Sequence, residues 1–111
     1  MVEYTSRIDN IFASLADPVR RDILERVHEG ELSVNEIALG YDISLAAISK
    51  HLKVLREAGL IHRRKVGRFN MIRTDAAAFS EAEAYLRRYA VSQHTYGPPT
   101  DPSFQLNKGE R

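Results

Sequence analysis

The chain has 111 residues, 43% of them hydrophobic and 28% charged, with a formal net charge of +1 and no cysteine. These values describe one domain of ordinary globular balance. They exclude disulfide staples, thiolate metal sites and cysteine redox sensing within it. No apolar run approaches the ~18 residues of a membrane span. The start, MVEYTSRIDN, has neither the basic lead nor the apolar stretch of a secretory signal, so a cytoplasmic protein is expected.

A first helix is predicted over Ser6 to Leu15, with Ile8, Ile11, Phe12 and Leu15 on one side. Asp17 caps a second helix and Pro18 takes its first position, where the missing N–H costs nothing. Ile23, Leu24 and Val27 form the buried stripe of that helix, and Gly30 ends it. Ser33 to Glu36 reads as a Ser-x-x-Glu capping box opening a short third helix that ends at Gly40. Tyr41 to Ile43 make a turn, and Ser44 caps a fourth helix. Ile48, Leu52, Leu55 and Ala58 line one face of it, while Ser49, Lys50, Lys53, Arg56 and Glu57 lie elsewhere on its surface.

Gly59 stands where a left-handed helix cap is wanted. Leu60-Ile61 then begin an extended run that carries Arg63, Arg64 and Lys65, turns at Gly67-Arg68 and returns through Phe69 to Thr74. A last helix starts at Thr74 or Asp75 and reaches about Gln93, with Phe79, Ala82, Leu86 and Tyr89 on one stripe and Tyr85 beside it. From Thr95 onward Gly97, Pro98, Pro99 and Pro102 leave no periodicity, as in a flexible tail. Residues 1–94 are therefore expected to fold as one unit and 95–111 to form the tail, and no internal repeat is visible. The expected fold class is mainly α with a small β-hairpin: about five helices and a two-stranded wing, including two unequal helices joined by a tight turn containing glycine.

The charges are segregated. The balance is −5 over residues 1–43, +7 over 44–74 and −1 over 75–111. One basic block in a nearly neutral chain is the footprint of a face for polyanions, the alternative being a solvated charged face that binds nothing. A polar, basic helix followed directly by a basic hairpin is what a winged helix-turn-helix presents to DNA.

Residues 11–73 resemble transcriptional regulators of the ArsR/SmtB type, winged-helix proteins of bacteria and archaea that act as homodimers. The resemblance is carried by Phe12 to Leu24 (FASLADPVRRDIL), Gly30 to Ile37 (GELSVNEI), Ser44 to Ile61 and Arg63 to Arg68, in order and at tight spacing. It implies a DNA-binding regulator, most often a repressor, bound to double-stranded DNA through the fourth helix and the wing. The expected DNA-binding set is Ser44, Leu45, Ala46, Ala47, Ser49, Lys50, His51, Lys53, Arg64, Lys65 and Arg68. The short side chains of Ser44 to Ala47 let the backbone approach a groove; Ser49 meets a base or a phosphate, and Lys50 reaches a guanine edge. The family often has a polar residue after the cap, but here it is Leu45, which leaves a thymine-methyl contact or simple burial. His51 matches a histidine common at this place, as a contact to phosphate or the turn, or as a satisfied half-buried ring. Lys53 reads as a phosphate anchor, and Arg64, Lys65 and Arg68 as phosphate or minor-groove contacts.

The resemblance implies dimerisation through the first and last helices, by Ile8, Ile11, Phe12, Leu15, Phe79, Ala82, Leu86 and Tyr89; packing within one chain is the alternative. A two-fold dimer would set its recognition helices about 34–36 Å apart on an imperfect palindrome. Many relatives sense metals, yet the positions of one family site hold Ser33 and Asn35 here, which are poor ligands. At the other, Asp75 is followed by three alanines and only His94 lies near the far end. No metal site and no cofactor are expected. The effector is open: an apolar molecule near Phe12, Tyr85 and Tyr89, a partner protein, or none. An enzyme is disfavoured, since the chain has no glycine-rich phosphate loop, no nucleophile with a paired base and no clustered acid pair. An interaction module whose basic face meets RNA or an acidic protein is the second reading.

Overall fold

In the computed structural model, residues 6–94 are described, with side chains through Ala90; the tail expected over 95–111 lies outside the described residues. Helix α1 (Arg7–Leu15) begins at Ser6, whose hydroxyl accepts from the Asp9 N–H. Asp17 caps α2 (Pro18–Glu29) by accepting from the Arg20 N–H at 3.0 Å, with Pro18 at the first position. The second helix starts where its capping residue predicts it, and the first starts one residue after Ser6, which caps it. The corner between the two helices is tied from the other side as well. Arg20 Nε donates to the Ser14 carbonyl at 2.8 Å and Arg21 Nη1 to the Leu15 carbonyl at 2.9 Å, satisfying carbonyls that the end of α1 leaves open. The segment LADPVRR thus closes one helix and opens the next.

Ser33 and Glu36 make the predicted capping box reciprocally, at 3.1 and 2.8 Å, and start α3 (Val34–Ala38). Arg26 of α2 reaches beneath the following turn, donating to the carbonyls of Ile37 (3.0 Å) and Glu36 (3.1 Å) and lying 5.2 Å over the Tyr41 ring. Gly40 makes room for it: a Cβ there would stand 2.5 Å from Arg26 Nη1. The Tyr41 hydroxyl donates to Asp22 Oδ2 at 2.5 Å, and burial, then this carboxylate, push it above its ordinary pKa, so it remains a donor. The turn is fixed from α2.

Helix α4 (Leu45–Glu57) starts at Ser44, whose hydroxyl accepts from the Ala47 N–H at 3.0 Å. It ends in the predicted left-handed glycine, Gly59 at φ 79°. The Gly59 N–H bonds the Arg56 carbonyl at 2.9 Å and the Leu60 N–H the Leu55 carbonyl at 3.0 Å, the paired closure of a Schellman motif. Leu55 and Leu60, its two apolar members, are both fully buried.

Strands β2 (Ile61–Val66) and β3 (Phe69–Thr74) form the hairpin, in a register that sets Arg63 opposite Ile72 and Arg64 opposite Met71. The two-stranded wing is thus present as expected, and a third strand, β1 (Leu32–Ser33), which the sequence did not announce, pairs with β3 to give the order β1-β3-β2. Two residues are too few to carry an alternation signal, and Ser33 also serves as a helix cap. The single core gathers Ile11, Ile23, Val27, Ile37, Ile48, Leu52, Leu55, Leu60, Ile61 and Ile72 beneath α4 and the hairpin.

Helix α5 (Ala76–His94) departs from the expected stripe. Among the described side chains of α5, Ala78 and Ala82, one turn apart, are the buried positions, whereas Leu86 and Tyr89 are 54% and 56% exposed. Two alanines let α5 lie close to the body of the domain; Ala82 is on the expected stripe, whereas Ala78 is passed over by a search for large apolar residues. Among the described residues no helix is long and apolar enough to cross a membrane.

Candidate nucleic-acid interface

Helix α4 carries its buried residues on one side, Ile48, Leu52 and Leu55, and turns Leu45, Ala46, Ser49, Lys50 and Lys53 to solvent, with Ala47 half-buried. The N-cap Ser44 is exposed, its hydroxyl already engaged with Ala47. Lys53 lies 4.0 Å from Glu57, with both side chains well exposed. Across from α4 stands the wing, with Arg63, Lys65, Val66, Arg68 and Phe69 exposed. Between them lies a cleft of about 230 Å³ lined by Ser49, Arg63, Arg68, Phe69 and Asn70, together with Ser33, Val34 and Asn35.

Strand alternation separates two neighbouring arginines. Arg63 shares its sheet face with buried Ile61 and Ile72 and so looks toward α4. Arg64 points the other way and binds Glu31 through two hydrogen bonds of 2.8 and 2.9 Å. That contact holds the Glu31 carboxyl below its ordinary pKa and raises the Arg64 guanidinium further. Arg64 is therefore a strut between the wing and the α2–β1 connection, not a free cation. Ser33, Val34, Asn35, Arg63, Phe69 and Asn70 are the cleft residues missing from the set expected from the sequence. The signal for Arg63 was present: Ile61, Arg63 and Lys65 alternate from a buried start.

His51 is half-buried at the α1–α2 corner, with Nδ1 3.2 Å from Arg20 Nη1 and 3.8 Å from Asp17 Oδ2. A guanidinium only donates, so Nδ1 accepts and the ring proton is assigned to Nε2. Asp17 lies below its ordinary pKa, chiefly because the Arg20 N–H bonds its carboxylate. A second histidine, His62, accepts from Arg73 Nε at 2.8 Å and turns Nδ1 toward Asp75 Oδ2 at 3.4 Å, at the base of the wing.

Among the described residues, Arg7, Arg87 and Lys53 meet acids, Arg20, Arg21 and Arg26 meet helix-end carbonyls, and Arg64 and Arg73 meet Glu31 and His62. Lys50, Arg56, Arg63 and Lys65 have no such partner, and Arg68 has only the Phe69 ring, at 5.9 Å. Four of these five belong to the first turns of α4 or to the wing. Positive charge that the rest of the fold consumes internally is left over here.

Of the residues expected at a dimer interface, Ile11 and Ala82 are buried inside the protomer itself, because each faces the core on its helix. Ile8, Phe12, Leu15 and Phe79 are partly buried, and Leu86 and Tyr89 exposed. Phe79, Leu86 and Ala90 form the apolar side of an open groove of about 490 Å³ along α5, with Glu83 and Arg87. The aromatic residues considered for an effector pack on one another instead. Phe12, Tyr85 and Tyr89 lie at successive ring-centre distances of 5.6 Å, with Arg88 over both tyrosines. An apolar cavity of about 450 Å³ lies between α2 and the start of α5 at Leu15, Leu24 and Phe79. Among the described residues no group of His, Asp or Glu is arranged to hold a metal.

A helix-turn-helix with an exposed second helix, followed by a basic hairpin across a polar cleft, defines the class: a winged helix-turn-helix domain. A family model described as a helix-turn-helix domain matches residues 15–64. The chain is 36% identical over 81 residues to the HTH-type transcriptional regulator Rv2034 of Mycobacterium tuberculosis, covering 73% of this chain and 76% of that protein. It is 36% identical over 62 residues to the transcriptional repressor SdpR of Bacillus subtilis, covering 56% and 69%. The crystal structure of an ArsR family transcriptional regulator superposes with a TM-score of 0.73 at 33% identity, over 90% of this chain and 100% of that one. The chain belongs to the ArsR family of helix-turn-helix transcriptional regulators.

Proposed function

We propose that this protein is a homodimeric, cytoplasmic repressor that binds an imperfect palindrome in duplex DNA, with α4 in the major groove and the wing along the backbone. The observation that carries this reading is the concentration of unpaired cations at Lys50, Arg63, Lys65 and Arg68, on the two elements flanking one polar cleft. Ser49, Lys50, Arg63, Lys65 and Arg68 make the contacts, with Ser44 to Ala47 allowing close approach and Lys53 anchoring a phosphate. Arg64 positions the wing, and His51 positions α4 against the α1–α2 corner.

The exposed apolar residues of α5, Leu86 and Tyr89, support dimerisation, together with the partly exposed Ile8, Phe12, Leu15 and Phe79. The protein acts by occupying DNA, not by catalysis. Hydroxyl-radical footprinting on the DNA upstream of its own gene tests this. Two protected patches about one helical turn apart are expected. Uniform protection, or none at concentrations where RNA or an acidic protein is bound, would overturn it.

A further inference from the structure

We infer that α4 recognises thymine through its 5-methyl group, with Leu45 as the contacting side chain and Ile43 beside it in the turn. This rests on the DNA-binding function proposed above and adds the kind of base that is read.

The hydrogen-bond code of the major groove is read best by Arg or Lys at guanine and by Asn or Gln at adenine. The groove-entering half of α4 has only Lys50 among these, since Leu45 to Lys50 run Leu, Ala, Ala, Ile, Ser, Lys. Ile48 belongs to the core, and the Ser44 oxygen is taken up as the helix cap. Ser49 opens onto the cleft shared with Arg63 and Arg68, a place suited to backbone phosphate. Lys50 contributes a single flexible cation, which positions more than it specifies.

Leu45 differs from these in kind. At the first position of α4 it is 53% exposed, and Ile43, two residues earlier, is 41% exposed. Simple burial, the other role open to a leucine here, is therefore ruled out within the protomer. Among groove-facing base edges only thymine offers an apolar group, its C5 methyl. A branched apolar side chain leading the helix into the groove has that one complementary partner, and a polar base edge placed there would lose its water without gaining a hydrogen bond.

The test begins with selection of bound duplexes from a random library by the wild-type protein. The preferred duplex is then compared, by fluorescence anisotropy, with the same duplex carrying dU for dT throughout its half-sites, which removes only the methyl groups. Wild-type affinity is expected to fall about fourfold per contacted methyl, the scale of one buried methyl or methylene group. Leu45→Ala is expected to bind the dT duplex more weakly and to lose the distinction between dT and dU. Lys50→Ala is expected to bind more weakly but to keep it. Equal wild-type affinity for the two duplexes, or a dT preference that persists in Leu45→Ala, would overturn the inference while leaving DNA binding intact. Failure to enrich any duplex would overturn both.

Discussion

Gly59 joins α4 to the wing, and replacing it with alanine separates two effects that oppose each other. A residue with a Cβ at φ 79° sits in the left-handed region at a penalty of about 1–2 kcal/mol. Alanine also reduces the freedom of the unfolded chain, a gain of about 0.4–1 kcal/mol where the native backbone suits it, so this term only partly offsets the penalty. A third contribution has the same sign as the first. The new Cβ would lie 2.9 Å from Arg7 Nη2, displacing a guanidinium whose Nε contacts Glu81 Oε1 at 2.5 Å. That pair is half-exposed, so its loss adds only a few tenths of a kcal/mol. The net expectation is a destabilisation of about 1–1.5 kcal/mol.

Urea unfolding followed by circular dichroism at fixed protein concentration measures this. With a slope of about 1.5 kcal/mol/M, ordinary for a small domain, the midpoint falls by about 1 M. Gly59→Asn is expected to lose less, because asparagine tolerates the left-handed region better. In an Arg7→Ala background the alanine penalty shrinks by the part that came from the collision. A midpoint unchanged or raised by Gly59→Ala would refute the backbone reasoning.

Leu86→Asp places a charge on the exposed face of α5, and light scattering at micromolar concentration is expected to find a folded monomer; a persistent dimer would place the interface elsewhere. Asp17 has its folded pKa depressed below 3.8, so its contribution is fully present above that value and is lost as pH falls through the folded pKa. Asp17→Asn keeps the cap but not the charge, and the difference in stability between wild type and variant is expected to shrink as the medium is acidified below about pH 4; a difference independent of pH would contradict this. Arg64→Ala breaks the strut to Glu31, and its salt dependence of DNA binding is expected to match wild type even where affinity falls; a shallower dependence would make Arg64 a phosphate contact.

Much of the frame was legible because capping chemistry is local. Ser6, Asp17, Ser33 with Glu36, Ser44 and Gly59 each fix a boundary within a few residues of themselves, and the stripes of α2 and α4 follow from helical periodicity. What escaped depends on partners distant in sequence. Strand β1 exists only because β3 lies beside it. Arg64 is set apart from Arg63 by a carboxylate thirty-three residues away, and His51 is held by an arginine thirty-one residues away. On α5 the expected stripe included the buried Ala82 but passed over Ala78 and took in the exposed Leu86 and Tyr89, because alanine buries little area and signals weakly beside larger apolar residues.

The most direct test of DNA recognition by α4 and the wing is the salt dependence of binding to a selected duplex and to its scrambled counterpart, for wild type and Arg63→Ala. If Lys50, Lys53, Arg63, Lys65 and Arg68 each neutralise one phosphate in both protomers, the logarithmic slope is about −9, at about 0.9 per phosphate. Arg63→Ala is expected to flatten it by about 1.8 while the preference for the selected duplex survives. A wild-type protein that binds both duplexes equally, or an Arg63→Ala slope identical to wild type, would contradict the assignment of this face to DNA.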